Sequence, residues 1–84
     1  MKRFLILFAT THDALRAEQH WPQTGYPGKL RPIPRVLSAS CGLCLQTDLP
    51  EHCQPQTLLE QANLEWEQIV EVLGKEYCIR ASKT

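Results

Sequence analysis

Residues 4–9, Phe-Leu-Ile-Leu-Phe-Ala, form an unbroken apolar run between Lys2 and Arg3 on one side and Thr10, Thr11, His12 and Asp13 on the other. A short run without polar alternation reads as a central β-strand buried on both faces. The chain has 84 residues, which allows one domain with a modest core. A basic start followed by apolar residues is also how a secretory signal begins. This run falls short of an h-region of about 7–15 residues, and no small-residue cleavage site follows it. A strand explains it better. There is no run of about 20 apolar residues for a membrane span, so a cytoplasmic protein without a membrane partner is expected. Thiols there are kept reduced.

Hydrophobic residues make up 43% and charged residues 21% of the chain, as in ordinary globular proteins. The formal net charge is zero, which speaks against nucleic acid as a partner. Tyr26 is the one aromatic interleaved with the basic residues, which points the same way. The balance hides an asymmetry. Residues 1–40 carry six basic and two acidic side chains, and residues 41–84 carry three basic and seven acidic ones. The first cysteine, Cys41, stands where the sign changes.

Thr10 reads as the N-cap of a first helix, with Asp13 in its first turn. Ala14, Leu15, Ala17 and Trp21 supply an apolar side, and Pro22 stops it. Gly25, Pro27 and Gly28 mark a turn. Residues 29–33 alternate basic and apolar but contain Pro32 and precede Pro34, which confines them to an edge strand; Lys29 and Arg31 would guard that edge. Residues 35–40 read as a loop or one helical turn. Residues 41–47 read as a third strand. Pro55 opens a second helix with Leu58, Leu59 and Ala62 as its apolar stripe. Trp66, Ile69, Val70 and Leu73 have helical spacing. Trp66, Val70 and Val72 also fit one face of a strand, with Gln68 as the exception and Asn63 ending the helix before it. We read a strand.

The order strand, helix, strand, strand, helix, strand predicts an α/β (α+β) ferredoxin-like split βαβ sandwich: a four-stranded antiparallel sheet with two helices on one face. In that fold the third strand lies between the first two and runs antiparallel to both. Thr10, Thr11 and His12 therefore reach the same sheet edge as Ser40, Cys41 and Gly42. Helix N-termini and neighbouring cations favour the reactive thiolate, so His12, Arg35 and the first helix are expected to act on Cys41. Ser38 and Ser40 are placed to donate to its sulfur, and Gly42 leaves room for an adduct or a partner's backbone.

Three other readings compete. Cys41 and Cys44 form a C-x-x-C, but at the start of a strand, where positions three apart face opposite ways; a thiol redox protein is one alternative. A zinc-binding interaction module would draw on Cys41, Cys44, Cys53 and Cys78 with His12, His20 and His52, although a second tight pair is missing. All four cysteines could also be small buried hydrophobes. Cys44 reads as core, Cys53 and Cys78 as incidental, and His20, His52 and the acidic residues as solvated. There is no phosphate loop, H-E-x-x-H, paired catalytic carboxylates or Ser/His/Asp pattern.

The segments Phe8-Ala9-Thr10-Thr11-His12-Asp13-Ala14-Leu15 and Pro32-Ile33-Pro34-Arg35-Val36-Leu37-Ser38-Ala39-Ser40-Cys41-Gly42-Leu43 resemble a family of small bacterial selenium/sulfur carrier-like proteins. Its pattern is roughly F-x-S/T-T-H-x-A-L followed by P-x-P-R-x-x-S-x-S-C-G-L. The resemblance covers about residues 4–72 and leaves residues 73–84 as a C-terminal tail. It implies a carrier holding chalcogen as a persulfide or perselenide on Cys41, with Thr11, His12, Pro34, Arg35, Ser38, Ser40 and Gly42 at the motif positions. No cofactor is implied beyond the transient sulfur or selenium. A cysteine desulfurase-type or rhodanese-like donor and a selenophosphate synthase-type acceptor are the implied partners. Cys44 departs from the usual apolar residue of the pattern, so a resolving role stays open. The proline-marked edge and the acidic tail leave room for a homodimer.

Overall fold

The computed structural model describes residues 1–83. Its elements are β1 (Lys2–Leu7), α1 (Thr11–His20), a 3-10 turn (Trp21–Thr24), β2 (Gly28–Pro32), β3 (Leu43–Leu49), α2 (Pro55–Gln61), β4 (Gln68–Leu73) and β5 (Glu76–Ser82). One sheet has the order β2-β3-β1-β4-β5, with every neighbouring pair antiparallel. This is an α+β fold with two helices and five strands, not the expected four.

The apolar run is the middle strand. Phe4 and Ile6, with Phe8 just beyond the strand, turn to one face, where they join Ala14, Ala17, Trp21, Leu59, Leu64 and Trp66. Both helices therefore pack on that face. Leu5 and Leu7 turn to the other face with Cys44 and Val70. The four leucine and isoleucine side chains from Leu5 to Leu7 and Leu45 are fully buried, as unbroken apolarity requires.

α1 starts at the expected cap: the Asp13 N–H donates to Thr10 Oγ1 at 3.0 Å. Ala14 and Ala17 are buried, but Leu15, expected beside them, is 44% exposed. Trp21 lies in the 3-10 turn, and its Nε1 donates to Thr47 Oγ1 at 3.0 Å, while Thr47 donates to the Pro27 carbonyl at 2.6 Å. Gly28 faces this indole so closely that a Cβ there would overlap the Trp21 ring.

α2 ends in a Schellman motif. Asn63 adopts φ +54°, its N–H donates to the Glu60 carbonyl, and the Leu64 N–H donates to Leu59. With the helix closed there, a strand follows as expected, but β4 begins only at Gln68: Trp66 lies before it and packs on the helix-side cluster, not on the face of Val70 and Val72.

Three expectations change. β3 begins at Leu43, because Gly42 takes φ +76° and breaks the extended chain; Cys41 thus lies in the turn before the strand. The stretch expected as a tail contains β5. Gly74 at φ +62° is the first central residue of a two-residue hairpin between the paired Leu73 and Glu76, the place where a II′ turn wants glycine. Glu71, expected on a solvated acidic face, is buried, and Arg80 Nε donates to its Oε1 at 2.9 Å.

Candidate functional site

Residues 33–42 leave the β2 edge, cross the second face of the sheet and return to β3. The Ile33 N–H donates to the Gly42 carbonyl at 3.1 Å and closes the base of this loop, which makes it a compact surface loop with its ends together. Within it, the Leu37 N–H donates to Pro34 at 3.0 Å, a turn that leaves Arg35 and Val36 exposed at its tip. Ile33, Leu37 and Ala39 pack down onto Leu5, Leu7, Cys44 and Val70. Ser38 and Ser40, alternating with them, are exposed.

At the end of the loop the chain reverses. Cys41 is half-buried and packs against the helix-side cluster. Its Sγ accepts from the Leu43 N–H at 3.3 Å and lies 3.2 Å from the Leu43 carbonyl, to which the thiol donates. Both bonds run to the one residue Leu43, so its backbone fixes where the sulfur sits. The positive φ of Gly42 is what folds the Leu43 N–H back toward the sulfur.

The register places the expected partners at the right edge. Leu7 pairs with Cys44 at the last position of the β1–β3 ladder, so Thr10, Thr11 and His12 and the N-terminus of α1 reach the edge from which Cys41 enters β3. Thr10 is committed to its cap, and Thr11 and His12 are exposed. Among the described residues, the side chains of His12, Arg35, Ser38 and Ser40 make no hydrogen bond or ion pair. They are exposed, and the bonds to the sulfur come from the Leu43 backbone.

Cys44 is a different thiol. It is fully buried on the loop-covered face, and burial pushes its pKa up to about 11. The positive charge of Arg31 opposes that rise, and a charge on Cys41 adds to it. Arg31, directly across from Cys44 in the β2–β3 ladder, is thus the cation beside the C-x-x-C pair. The alternation of residues 29–33 showed its face, but only the register shows which residue it opposes. Its Nη1 also donates to Gln46 Oε1 at 2.8 Å.

The other cysteines lie elsewhere. Cys53 packs on the helix-side cluster beside Tyr26, whose hydroxyl pKa it raises through a hydrogen bond; Cys78 lies on β5. Among the described residues, no group of three or more His, Cys, Asp or Glu side chains is arranged to hold a metal ion.

A family model described as "Putative Se/S carrier protein-like" matches residues 3–71. The chain belongs to this family. The match spans β1 through most of β4, including both segments that carry the resemblance, and it stops before β5. No curated protein and no solved structure matches the chain. No helix among the described residues is long and apolar enough to cross a membrane.

Proposed function

We propose that this Se/S carrier-like protein holds sulfur or selenium on Cys41 and passes it between enzymes in the cytoplasm. The observation that carries the reading is the contrast between two neighbouring thiols. Cys41 stands half-exposed in a glycine-hinged turn with a backbone N–H on its sulfur, whereas Cys44 is buried and held protonated. A carrier needs an accessible thiolate and a docking surface, and exposed motif residues around a turn supply both.

In the loading step, the Cys41 thiolate attacks the outer sulfur of a donor persulfide, of the kind a cysteine desulfurase-type or rhodanese-like enzyme forms. The new bond joins Cys41 Sγ to that sulfur. The donor's S–S bond breaks, and its cysteine leaves as a thiolate with the electron pair. The proton of the persulfide stays with the transferred atom, so the balance closes without an oxidant. Selenium follows the same path as a perselenide, with a selenophosphate synthase-type enzyme as the acceptor. The Leu43 N–H steadies charge on the sulfur. His12, Arg35, Ser38 and Ser40 face the docked partner, and Thr11, Pro34 and Gly42 shape the approach. A four-stranded ferredoxin-like core extended by β5 is the fold reading that goes with this role.

Intact-mass measurement after incubation with a cysteine desulfurase and cysteine tests the proposal. An increment of about 32 Da, one sulfur atom, is expected on the wild-type chain and on Cys44→Ser, and none on Cys41→Ser. Loading that survives Cys41→Ser would overturn it. A loss of about 2 Da linking Cys41 to Cys44 would favour thiol redox chemistry in its place.

A further inference from the structure

We propose that the outer edge of β5 joins a second copy of this chain, the two β5 strands pairing antiparallel about Cys78. The sheet has two open edges. β2 is guarded by Lys29, Arg31 and Pro32, features that natural proteins use to block strand addition. β5 has neither proline nor lysine between Glu76 and Ser82 and carries Ile79 at 56% exposure. Its bulge, between the Ile69 and Val70 pairings, falls at Arg80 and leaves residues 76–79 in regular register with β4.

The sequence Glu76-Tyr77-Cys78-Ile79-Arg80 is complementary to its own reverse. Antiparallel pairing centred on Cys78 sets Glu76 opposite Arg80 of the second copy, twice by symmetry. Tyr77 then meets Ile79 of the second copy, also twice. Opposite charges and aromatic–β-branched pairs are the favourable cross-strand combinations. The faces agree: Glu76 and Cys78 pair with Leu73 and Glu71, and Arg80 bonds Glu71, so all three lie on the helix side. Tyr77 and Ile79 pair with Val72 and Val70 on the other side. Arg80 uses Nε for Glu71, which leaves its terminal nitrogens for the incoming Glu76. Shifting the centre by one residue abolishes the charge pairs, so the pattern specifies one register. The contact is isologous, as a two-fold dimer requires. β4 and β1 separate β5 from β3, so the dimer leaves the Cys41 turn open.

Sedimentation of the full chain across a concentration series tests this. A monomer–dimer equilibrium is expected, because one strand pair makes a small interface. Ile79→Lys is expected to weaken it about tenfold or more, with an unchanged thermal melt at concentrations where the wild type is monomeric, because Ile79 is exposed in the monomer. Glu76→Lys, which sets like charges opposite Arg80, should weaken it in the same way. Diamide oxidation should cross-link the dimer through Cys78 and not in Cys78→Ser, since directly opposed residues fall within disulfide reach. A wild-type chain that stays monomeric, a dimer indifferent to both variants, or cross-linking through another cysteine would each overturn the proposal.

Discussion

The two faces of the sheet are covered by unlike means. On one, two helices, a 3-10 turn and the connection from α2 to β4 bring down Ala14, Ala17, Trp21, Leu59, Leu64 and Trp66 in one continuous buried cluster. On the other, an irregular loop contributes half-buried Ile33, Leu37 and Ala39 over a smaller cluster of Leu5, Leu7, Cys44 and Val70. Regions held by fewer buried apolar contacts open at lower free energy than the core. The helical face therefore holds the fold, and the loop-covered face is where the molecule can move without unfolding. Cys41 stands at the junction: its side chain packs toward the helical face, and its backbone ends the loop that covers the other.

Unequal substitution costs on the two faces are the largest expected effect. Phe8→Ala removes a fully buried ring from the helical side and is expected to cost about 3–5 kcal/mol in urea unfolding. Leu37→Ala, at a half-buried position in the loop itself, should cost about 1 kcal/mol. Equal costs would break the comparison. Gly28→Ala comes next, at about 1–3 kcal/mol, because its methyl group overlaps Trp21. Loss of the indole bond to Thr47 should appear as a change in tryptophan fluorescence.

The third prediction concerns the thiol under the loop. Leu37→Ala should speed alkylation of Cys44 about fivefold in the native protein, the factor that about 1 kcal/mol of easier opening supplies, and leave the Cys41 rate unchanged. Cys44 also sets a pH dependence. Its pKa is raised in the folded state to about 11 from an ordinary value of 9.0, so the folded state holds its proton more tightly. The associated stability is complete below about pH 9 and is lost as pH rises toward 11. Tyr26, also raised, loses stability in the same alkaline direction. Cys44→Ala should flatten the Cys44 part of that loss; an unchanged slope would show that Cys44 is not desolvated.

How much of this was legible in the sequence depended on range. The central strand was readable because unbroken apolarity admits few alternatives, and the Thr10 cap because it is settled within three residues. The placement of the Thr10, Thr11 and His12 turn at the cysteine's edge followed from element order alone. β5 was missed although Gly74 and the alternation of Tyr77 and Ile79 are visible, because the matched motifs end before it and its charged residues resemble a solvated tail. The position of Cys41 before β3 was hidden, since a glycine does not announce whether it will take positive φ. Arg31 opposite Cys44 and Arg80 on Glu71 depend on cross-strand register, which no local pattern specifies.

The smallest effect separates a structural from a chemical role at the edge shared by α1 and Cys41. Thr10 lies within the residues that match the family, yet its hydroxyl is occupied by the Asp13 N–H. Thr10→Ala should cost about 1 kcal/mol, the usual value of a lost N-cap, while Thr10→Ser, which keeps the acceptor, should restore nearly all of it. If Thr10 serves the carrier site only by fixing where α1 begins, sulfur loading on Cys41 will follow the helix: slowed in Thr10→Ala and restored in Thr10→Ser. Loading that stays slow in Thr10→Ser despite recovered stability would assign the threonine methyl a place on the docking surface. The stable face would then contribute contacts to the partner as well as support, and the division of labour between the two faces would be less sharp than their packing indicates.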